Sequence, residues 1–146
     1  MDTAPLHGIQ LFRDLTPDEL AVVAKNAFEK KYNDAATLFM ENMPGEVMYV
    51  VKAGGVDLSK KGPDGEDKIF ITLKPGDFFG EMSLIDESPR SATARVKGTT
   101  DLVVFTKKAF REMLQNDPRV AAKVLLNLLK VVNQRLRRTT DLVKNV

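Results

Sequence analysis

The middle of the chain is built from short apolar runs separated by glycine and proline, and this pattern restricts the possible folds most. Between residues 32 and 106, four separate runs have the length of single strands: Met48–Val51, Val56–Leu58, Ala94–Val96 and Leu102–Phe105. Pro75–Asp77, which reads Pro-Gly-Asp, is typical of a tight turn. Short strands at regular spacing indicate an antiparallel sandwich or barrel. We therefore expect a mainly β protein whose core is an eight-stranded antiparallel jelly-roll β-barrel.

Two further patterns in this region make predictions about individual strands. Ile69, Ile71 and Leu73 occupy alternate positions, which predicts a strand with one face turned toward the core. Lys97–Asp101, which contains Gly98, predicts a polar turn between two strands.

Helices are expected on both sides of the β region. Thr16–Glu19 combines a hydroxyl cap, a proline and two acids, which predicts a short helix over about 17–27 within an N-terminal helical segment, 1–31. After Thr106 the apolar spacing becomes helical, and Pro118 separates a short helix from a last one of roughly 28 residues. We expect a single domain, 1–146, in which 32–106 form the β-roll and 107–146 a C-terminal helix pair ending in a long helix.

The last helix carries an apolar stripe with steps of four and three residues. Its members are Leu125, Leu129, Val132, Leu136, Thr139 and Val143. Such a heptad repeat is typical of a two-stranded coiled coil, and the distal half has little to pack against within one chain. We therefore predict a homodimer through this helix. The alternative is a helix that folds wholly onto its own barrel or frays at its end.

The amino-acid composition excludes several kinds of functional site. The chain has no cysteine and one histidine, His7, which excludes disulfides and zinc–thiolate sites and makes a Ser-His-Asp triad a poor hypothesis. A net charge of +2 is too small to indicate a nucleic-acid partner. No apolar run is long enough for a membrane span, and the N-terminus lacks the features of a signal peptide, so we expect a cytoplasmic protein without a membrane partner. An enzyme, the weakest hypothesis, would need metal ligands or a general base, and we expect no metal site.

Phe79–Thr93 has the composition of a phosphate pocket. Gly80 allows close approach of the backbone, and one helical turn beginning at Glu81 offers N–H groups to an anion. Arg90 is the only cation in the stretch, and its guanidinium can present two parallel N–H donors. Further donors are the N–H groups of Met82 and Ser83, the hydroxyl of Ser91 and the N–H of Ala92. The alternatives are a surface arginine at position 90 and a helix-dipole role for Glu81.

Phe79–Leu84 followed by Pro89–Thr93 resembles the phosphate-binding cassette of the cyclic-nucleotide-binding domain family, as found in catabolite activator protein-like sensory domains. Gly45, Gly54 and the Pro75–Asp77 turn support the resemblance, which covers nearly the whole chain. It implies that Glu81 accepts a hydrogen bond from a ribose 2′-hydroxyl, a role that explains a carboxylate beside a phosphate. It also implies that Glu81 pairs with an arginine of the last helix, Arg135.

The resemblance places other residues around the base of the nucleotide. It puts Phe70 and Ile71 beside the base, although core packing explains both almost equally well. Thr139 and Thr140 would cover the base, one from each subunit, and the alternative is that they merely cap a helix end. A threonine hydroxyl can serve either adenine or guanine, so the choice of cyclic AMP, with cyclic GMP as the alternative, depends on the resemblance.

The function implied is a sensor module that binds cyclic AMP in the β-roll and signals through its C-terminal helix to an unknown effector. The sequence contains no recognition helix, so we expect no DNA-binding domain in this chain. A second hypothesis is an interaction domain that keeps the fold without the ligand.

Overall fold

The computed structural model describes residues 1–144, which form six strands and four α-helices after two short 3₁₀ turns. The strands are β1 (Phe28–Tyr32), β2 (Thr37–Phe39), β3 (Val47–Lys61), β4 (Asp67–Leu73), β5 (Phe78–Phe79) and β6 (Thr93–Thr106). The helices are α1 (Pro17–Lys25), α2 (Met82–Ile85), α3 (Lys107–Asn116) and α4 (Pro118–Lys144), and the 3₁₀ turns are Ala4–Leu6 and Gln10–Phe12. None of the helices in residues 1–144 combines the length and hydrophobicity needed to cross a bilayer.

The strands form one open antiparallel sheet in the order β1-β6-β3-β4, with β2 paired to β6 and β5 paired to β3. The mainly β class with flanking helices is confirmed. The closed eight-stranded barrel is wrong, because each of the two longest strands replaces two predicted ones. β3 continues through Gly54 and Gly55, and β6 continues through Lys97–Asp101, where a turn was predicted.

The polar stretch in β6 forms a bulge instead of a turn. Pairing passes from Ala53 opposite Asp101 to Gly55 opposite Lys97, so extra residues of β6 are accommodated without leaving the sheet. The buried hydroxyl of Thr100 accepts from the Gly55 N–H at 3.2 Å and donates to the Gly55 carbonyl at 3.0 Å. The Thr100 side chain thus hydrogen-bonds to both backbone groups of Gly55 at the bulge and helps to join the two long strands.

The sheet separates two cores. On β3, Met48 and Val50 face a core shared with the helices, whereas Tyr49 and Val51 face a second core on the opposite side of the sheet. This alternation is the period-two pattern of a strand buried on both faces.

The side chains of β4 are less buried than the sequence predicts. Only Leu73 is buried, while Ile69 and Ile71 are 61% and 45% exposed, so the prediction that all three face the core is wrong. The reason is position, since β4 pairs only with β3 at the edge of the sheet. The apolar alternation is present in the sequence, but within the described residues only the end of the strand reaches the second core.

The predicted helix starts are confirmed. At the start of α1, Thr16 accepts from the Glu19 N–H and the Glu19 carboxylate accepts from the Thr16 N–H, a complete capping box. The Thr106 hydroxyl accepts from the Ala109 N–H at 3.1 Å and caps α3. Together these caps fix where the chain enters α1 and α3, which both pack in the helical core.

The first half of α4 is fixed to the domain. Val120, Val124 and Val131 are buried in the helical core. Asn127 is 7% exposed, and its amide nitrogen donates to the carbonyls of Leu11 and Arg13 at 3.0 and 2.8 Å. Because both N–H groups of this buried amide are used, the N-terminal segment is tied to α4.

The second half of α4 is exposed along the predicted seam. Leu129 and Leu136 are 54% and 62% exposed, and Leu125 and Val132 are half-buried. The side chain of Val143, the last seam position, lies outside the described residues. The seam therefore has apolar surface that the described part of this chain does not cover, and the dimer stays a prediction.

The bulge yields a stability prediction at Gly54, which has φ of +89° and would place a Cβ 2.5 Å from Thr100 Oγ1 and 2.6 Å from the Thr99 carbonyl oxygen. Gly54→Ala combines an unfavourable backbone conformation with a clash against backbone, and we expect a loss of about 2–4 kcal/mol in the free energy of unfolding. Urea denaturation measures this loss.

Gly98→Ala is the matched control, because Gly98 also has positive φ, +72°, but has open space where its Cβ would lie. We expect this variant to lose only about 1–2 kcal/mol. Equal losses in the two variants would contradict a tight bulge at Thr100.

Candidate functional site

A cavity of about 250 Å³ lies beside the second core and collects most of the predicted site residues. Its lining comprises Phe39, Leu58, Phe70, Ile71, Leu73, Phe78, Phe79, Gly80, Glu81, Met82, Ser83, Pro89, Arg90, Ser91, Ala92 and Arg135. Every predicted site residue except Thr139 and Thr140 is among them. Residues from β2, β3, β4, β5, α2 and α4 therefore meet around one space.

Arg90 is the central cation of this cavity and is only 6% exposed. Its Nη2 donates to the Val47 carbonyl at 2.8 Å, and its Nη1 makes a longer contact of 3.5 Å with the Gly80 carbonyl. The guanidinium carbon lies 4.0 Å from the centre of the Phe39 ring, a cation–π arrangement. The alternative of a surface arginine is therefore wrong.

The charge of Arg90 is not balanced by a carboxylate within residues 1–144, and its buried Nε has no hydrogen-bond partner there. Burial lowers the pKa of the Arg90 guanidinium, but an arginine stays protonated in proteins. Removing such a charge from water costs several kcal/mol unless an opposite charge compensates it. The cavity therefore has an electrostatic preference for an anion.

Two glycines make room for this guanidinium. A Cβ on Gly45 would overlap Arg90 Nε, and a Cβ on Gly80 would lie 2.6 Å from Arg90 Nη1. Gly80 also has φ of +79°, a conformation that other residues rarely adopt. The sequence assigned the space at Gly80 to a ligand, whereas the structure gives part of it to Arg90.

The backbone of Arg90 is held as firmly as its side chain. The Arg90 N–H donates to the Met43 carbonyl at 2.8 Å, and the Asn42 N–H donates to the Arg90 carbonyl at 2.8 Å. Asn42 has φ of +70°, which asparagine tolerates better than most residues. The loop between β2 and β3 thus positions Arg90 through two hydrogen bonds that are independent of the side chain at position 90.

Several backbone donors line the same space. The N–H groups of Glu81, Met82, Ser91 and Ala92 donate to no other group among the described residues. The N–H of Ser83 donates to the Gly80 carbonyl at 3.2 Å, so the prediction that it is free for an anion is wrong. Around Arg90 the cavity thus offers unpaired N–H groups from two segments, an arrangement suited to an oxyanion.

Glu81 is held by α4. Its Oε1 accepts from Arg135 Nη1 at 3.2 Å, which confirms the predicted pairing. Arg135 Nη2 also donates to the Phe78 carbonyl at 3.2 Å, and its guanidinium carbon lies 4.8 Å from the centre of the Phe78 ring. Glu81 is the N-cap residue of α2, and its side chain makes no capping hydrogen bond, so the helix-dipole alternative for Glu81 stays untested.

The wall contributed by β4 is apolar and accessible. Phe70 and Ile71 are 58% and 45% exposed, so core packing does not account for them. Leu58 and Leu73 also belong to the lining. This wall offers a hydrophobic surface and no side-chain hydrogen-bond donor or acceptor from these four residues.

The structure does not bring Thr139 and Thr140 to the cavity of their own chain. Both are exposed on α4, and their hydroxyls donate to the carbonyls of Arg135 at 3.1 Å and Leu136 at 3.0 Å. A contact with a base bound in this chain or in a partner chain stays a prediction.

Sequence reasoning missed Phe39, whose ring lies against Arg90. It belongs to the short strand β2 and reaches the cavity because it pairs with Ala94 of β6. No local pattern marks it, since the contact depends on pairing between distant strands. Gly45 was noticed in the sequence as a glycine shortly before a strand. That it makes room for Arg90 could not be predicted, because the two residues meet only in the folded chain.

Within the described chain, no group of three or more histidine, cysteine, aspartate or glutamate side chains could hold a metal ion. The ionic features of the cavity are therefore those of Arg90, Glu81 and Arg135.

Comparison with known proteins identifies the class to which this fold and cavity belong. The sequence profile described as "Cyclic nucleotide-binding domain" matches residues 29–117, more than half of the chain. The chain belongs to the cyclic nucleotide-binding domain family, which is a regulatory binding domain.

The relatives of this chain include proteins of different kinds. The chain is 28% identical over 131 residues to the "CRP-like cAMP-activated global transcriptional regulator" of Mycobacterium tuberculosis, covering 90% of this chain and 57% of that protein. It is 32% identical over 114 residues to the "cAMP-dependent protein kinase regulatory subunit" of Blastocladiella emersonii, covering 78% of this chain and 28% of that one. The crystal structure of Thermus thermophilus catabolite activator protein superposes with a TM-score of 0.82 at 28% identity, covering 92% and 62%. The chain thus spans less than two thirds of the length of each of these relatives.

Proposed function

We propose that the cavity binds cyclic AMP and that α4 communicates its occupancy to a partner. The observation that carries the proposal is Arg90, a buried cation with no carboxylate partner within the described residues. The unpaired N–H groups of Glu81, Met82, Ser91 and Ala92 lie on the same lining. A cyclic phosphate diester supplies one negative charge and two exocyclic oxygens, which suit one guanidinium and several N–H donors.

Glu81 supports a nucleotide over a simple phosphate. A carboxylate beside an anion is unfavourable unless another group compensates it, and Arg135 does so at 3.2 Å. The Glu81 carboxylate has a second oxygen that can accept a hydrogen bond from a ribose 2′-hydroxyl. An anion site and a hydroxyl acceptor in one cavity suit a phosphorylated sugar.

The apolar wall of β4 supports a flat, largely apolar base. Phe70 and Ile71 offer exposed hydrophobic surface at the cavity, and a base stacked there would cover part of it. Relatives named as cAMP-activated and cAMP-dependent favour adenine, with cyclic GMP as the alternative. In the proposed complex, Thr139 and Thr140 meet the base from the last helix, one from each subunit of a dimer.

The proposal is tested by the melting temperature of the protein with cyclic AMP, cyclic GMP or linear AMP, followed by calorimetry. A ligand that binds only the folded protein must raise the melting temperature, and we expect the largest increase with cyclic AMP. Arg90→Lys keeps the charge but loses the paired N–H donors, so we expect an affinity about 10- to 150-fold lower.

Arg95→Lys is the matched control, because Arg95 lies on β6, contacts Asp67 at 3.2 Å and does not line the cavity. It should leave the affinity for cyclic AMP unchanged. Undiminished binding in a folded Arg90→Lys variant would exclude Arg90 as the phosphate ligand. No increase in melting temperature with either cyclic nucleotide would favour the interaction-domain hypothesis instead.

The proposed sugar contact makes a separate prediction. Replacing cyclic AMP by 2′-deoxy cyclic AMP removes a hydrogen bond to a charged acceptor, and we expect about 10- to 150-fold weaker binding to the natural protein. In Glu81→Ala the two ligands should bind nearly equally, because the acceptor is gone. Calorimetry with both ligands measures the ratio, and Glu87→Ala, an exposed change in the same segment, should preserve it. A preserved ratio in Glu81→Ala would refute the sugar contact.

The proposed dimer depends on the exposed seam of α4. Replacing Leu129 and Leu136 together by Gln removes apolar surface that a second helix would bury, so we expect the mass measured by size-exclusion chromatography with light scattering to fall from dimer to monomer. Leu114→Gln on α3, at a position 39% exposed, is the control and should leave the mass unchanged. A natural protein that is monomeric at high micromolar concentration with cyclic AMP present would contradict the dimer.

A further inference from the structure

Five of the six methionines are either buried or exposed, and the exposed group flanks the cavity; the sixth, Met1, is half-buried against the helical core. Met48 and Met113 are 2% and 1% exposed, whereas Met40, Met43 and Met82 are 48%, 54% and 47% exposed. The exposed surface of these three side chains makes them accessible to small reagents in solvent. All three exposed thioethers lie on the segments that build the environment of Arg90.

Met82 has the most direct position. It is the first residue of α2 and lines the cavity together with Arg90 and Ser91. Its N–H is one of the unpaired donors among the described residues. The Met82 side chain is therefore about half exposed and adjoins the space in which an anion is proposed to bind.

Met40 and Met43 are related to the cavity through their backbone. The Met43 carbonyl accepts from the Arg90 N–H at 2.8 Å, and the Met43 N–H donates to the Met40 carbonyl at 3.2 Å. Neither side chain is part of the cavity lining. These two residues are thus accessible to the same reagents as Met82 without adjoining the proposed ligand.

Methionine thioethers are oxidised by hydrogen peroxide in a step that needs no other reagent. The sulfur lone pair attacks one peroxide oxygen, the O–O bond breaks, and the departing hydroxide takes the remaining proton to form water. Sulfur is oxidised by two electrons to the sulfoxide while peroxide is reduced. Methionine sulfoxide reductases reverse the change, so it can act as a switch.

We propose that Met82 is a reversible oxidation site at which a peroxide lowers the affinity of the cavity for its nucleotide, an inference that rests on the proposed function. A sulfoxide replaces an apolar, adaptable group by a polar one whose oxygen carries partial negative charge. At Met82 that oxygen opposes an anionic ligand and competes for the unpaired N–H groups of Glu81 and Met82. Oxidation of Met40 and Met43 leaves these groups unchanged.

The experiment compares three proteins before and after treatment with hydrogen peroxide: the natural chain, Met82→Leu, and the double variant Met40→Leu with Met43→Leu. Peptide mass spectrometry locates the added oxygen, and calorimetry gives the affinity for cyclic AMP. We expect oxidation at positions 40, 43 and 82 with Met48 and Met113 protected. The affinity should fall about 5- to 30-fold in the natural chain and in the double variant, and should not change in Met82→Leu.

A second measurement tests whether bound nucleotide protects Met82 from oxidation. Saturating cyclic AMP should slow the oxidation of Met82 but not of Met40 and Met43, since only Met82 lines the cavity. Unchanged affinity in protein carrying the Met82 sulfoxide, or an equal loss in Met82→Leu, would overturn the inference while leaving nucleotide binding intact. Failure of the untreated protein to bind any cyclic nucleotide would instead refute the proposed function and this inference with it.

Discussion

The buried charge of Arg90 is the constraint on which the rest of the cavity depends. A guanidinium 6% exposed needs space, a polar environment and a fixed backbone, and each comes from a different part of the chain. Gly45 and Gly80 give the space, Phe39 gives a polarisable face, and the loop at Asn42 and Met43 fixes the backbone. These groups orient the cation but do not neutralise it. Because the compensation within residues 1–144 is incomplete, the site keeps an electrostatic preference that an apolar core residue at position 90 would abolish.

The long helix has two regions with different attachments. Up to Val131 it is held by buried apolar residues and by Asn127, which ties it to the N-terminal segment. Beyond Val131, the one hydrogen-bonded side-chain contact in residues 132–142 that leaves the helix comes from Arg135, to Glu81 and the Phe78 carbonyl. A partly exposed ion pair of this kind contributes about 0.2–1 kcal/mol, far less than the packing of the first half. The position of the distal half is therefore weakly determined by this chain and sensitive to whatever contacts Glu81.

Local sequence patterns predicted the helices and the Phe79–Thr93 segment. They did not predict the features that depend on pairing between distant strands. The caps at Thr16 and Thr106 and the Arg90–Glu81 constellation are encoded within a few residues, and the structure has the caps and brings the constellation together around one cavity. The strand count failed because glycine at positions 54, 55 and 98 signals both turns and bulges, and only the pairing of β3 with β6 distinguishes them. The prediction that Ile69 and Ile71 are buried was wrong because an alternating apolar pattern does not show whether a strand lies at the edge of a sheet.

The charged residues that line the cavity also favour some phosphate esters over others. In the proposed binding mode Arg90 is the cation at the phosphate, and Glu81 is already paired with Arg135. A cyclic diester carries one negative charge, which one guanidinium balances. A linear monoester carries a second charge of about 0.5–1 near neutral pH, since its second pKa is near 6. That extra charge would lie close to the Glu81 carboxylate, and the other cation in the lining, Arg135, is already paired with Glu81. At low effective dielectric the repulsion is substantial. In the proposed complex the carboxylate of Glu81 thus has two roles, since it accepts the sugar hydroxyl and disfavours a dianionic phosphate.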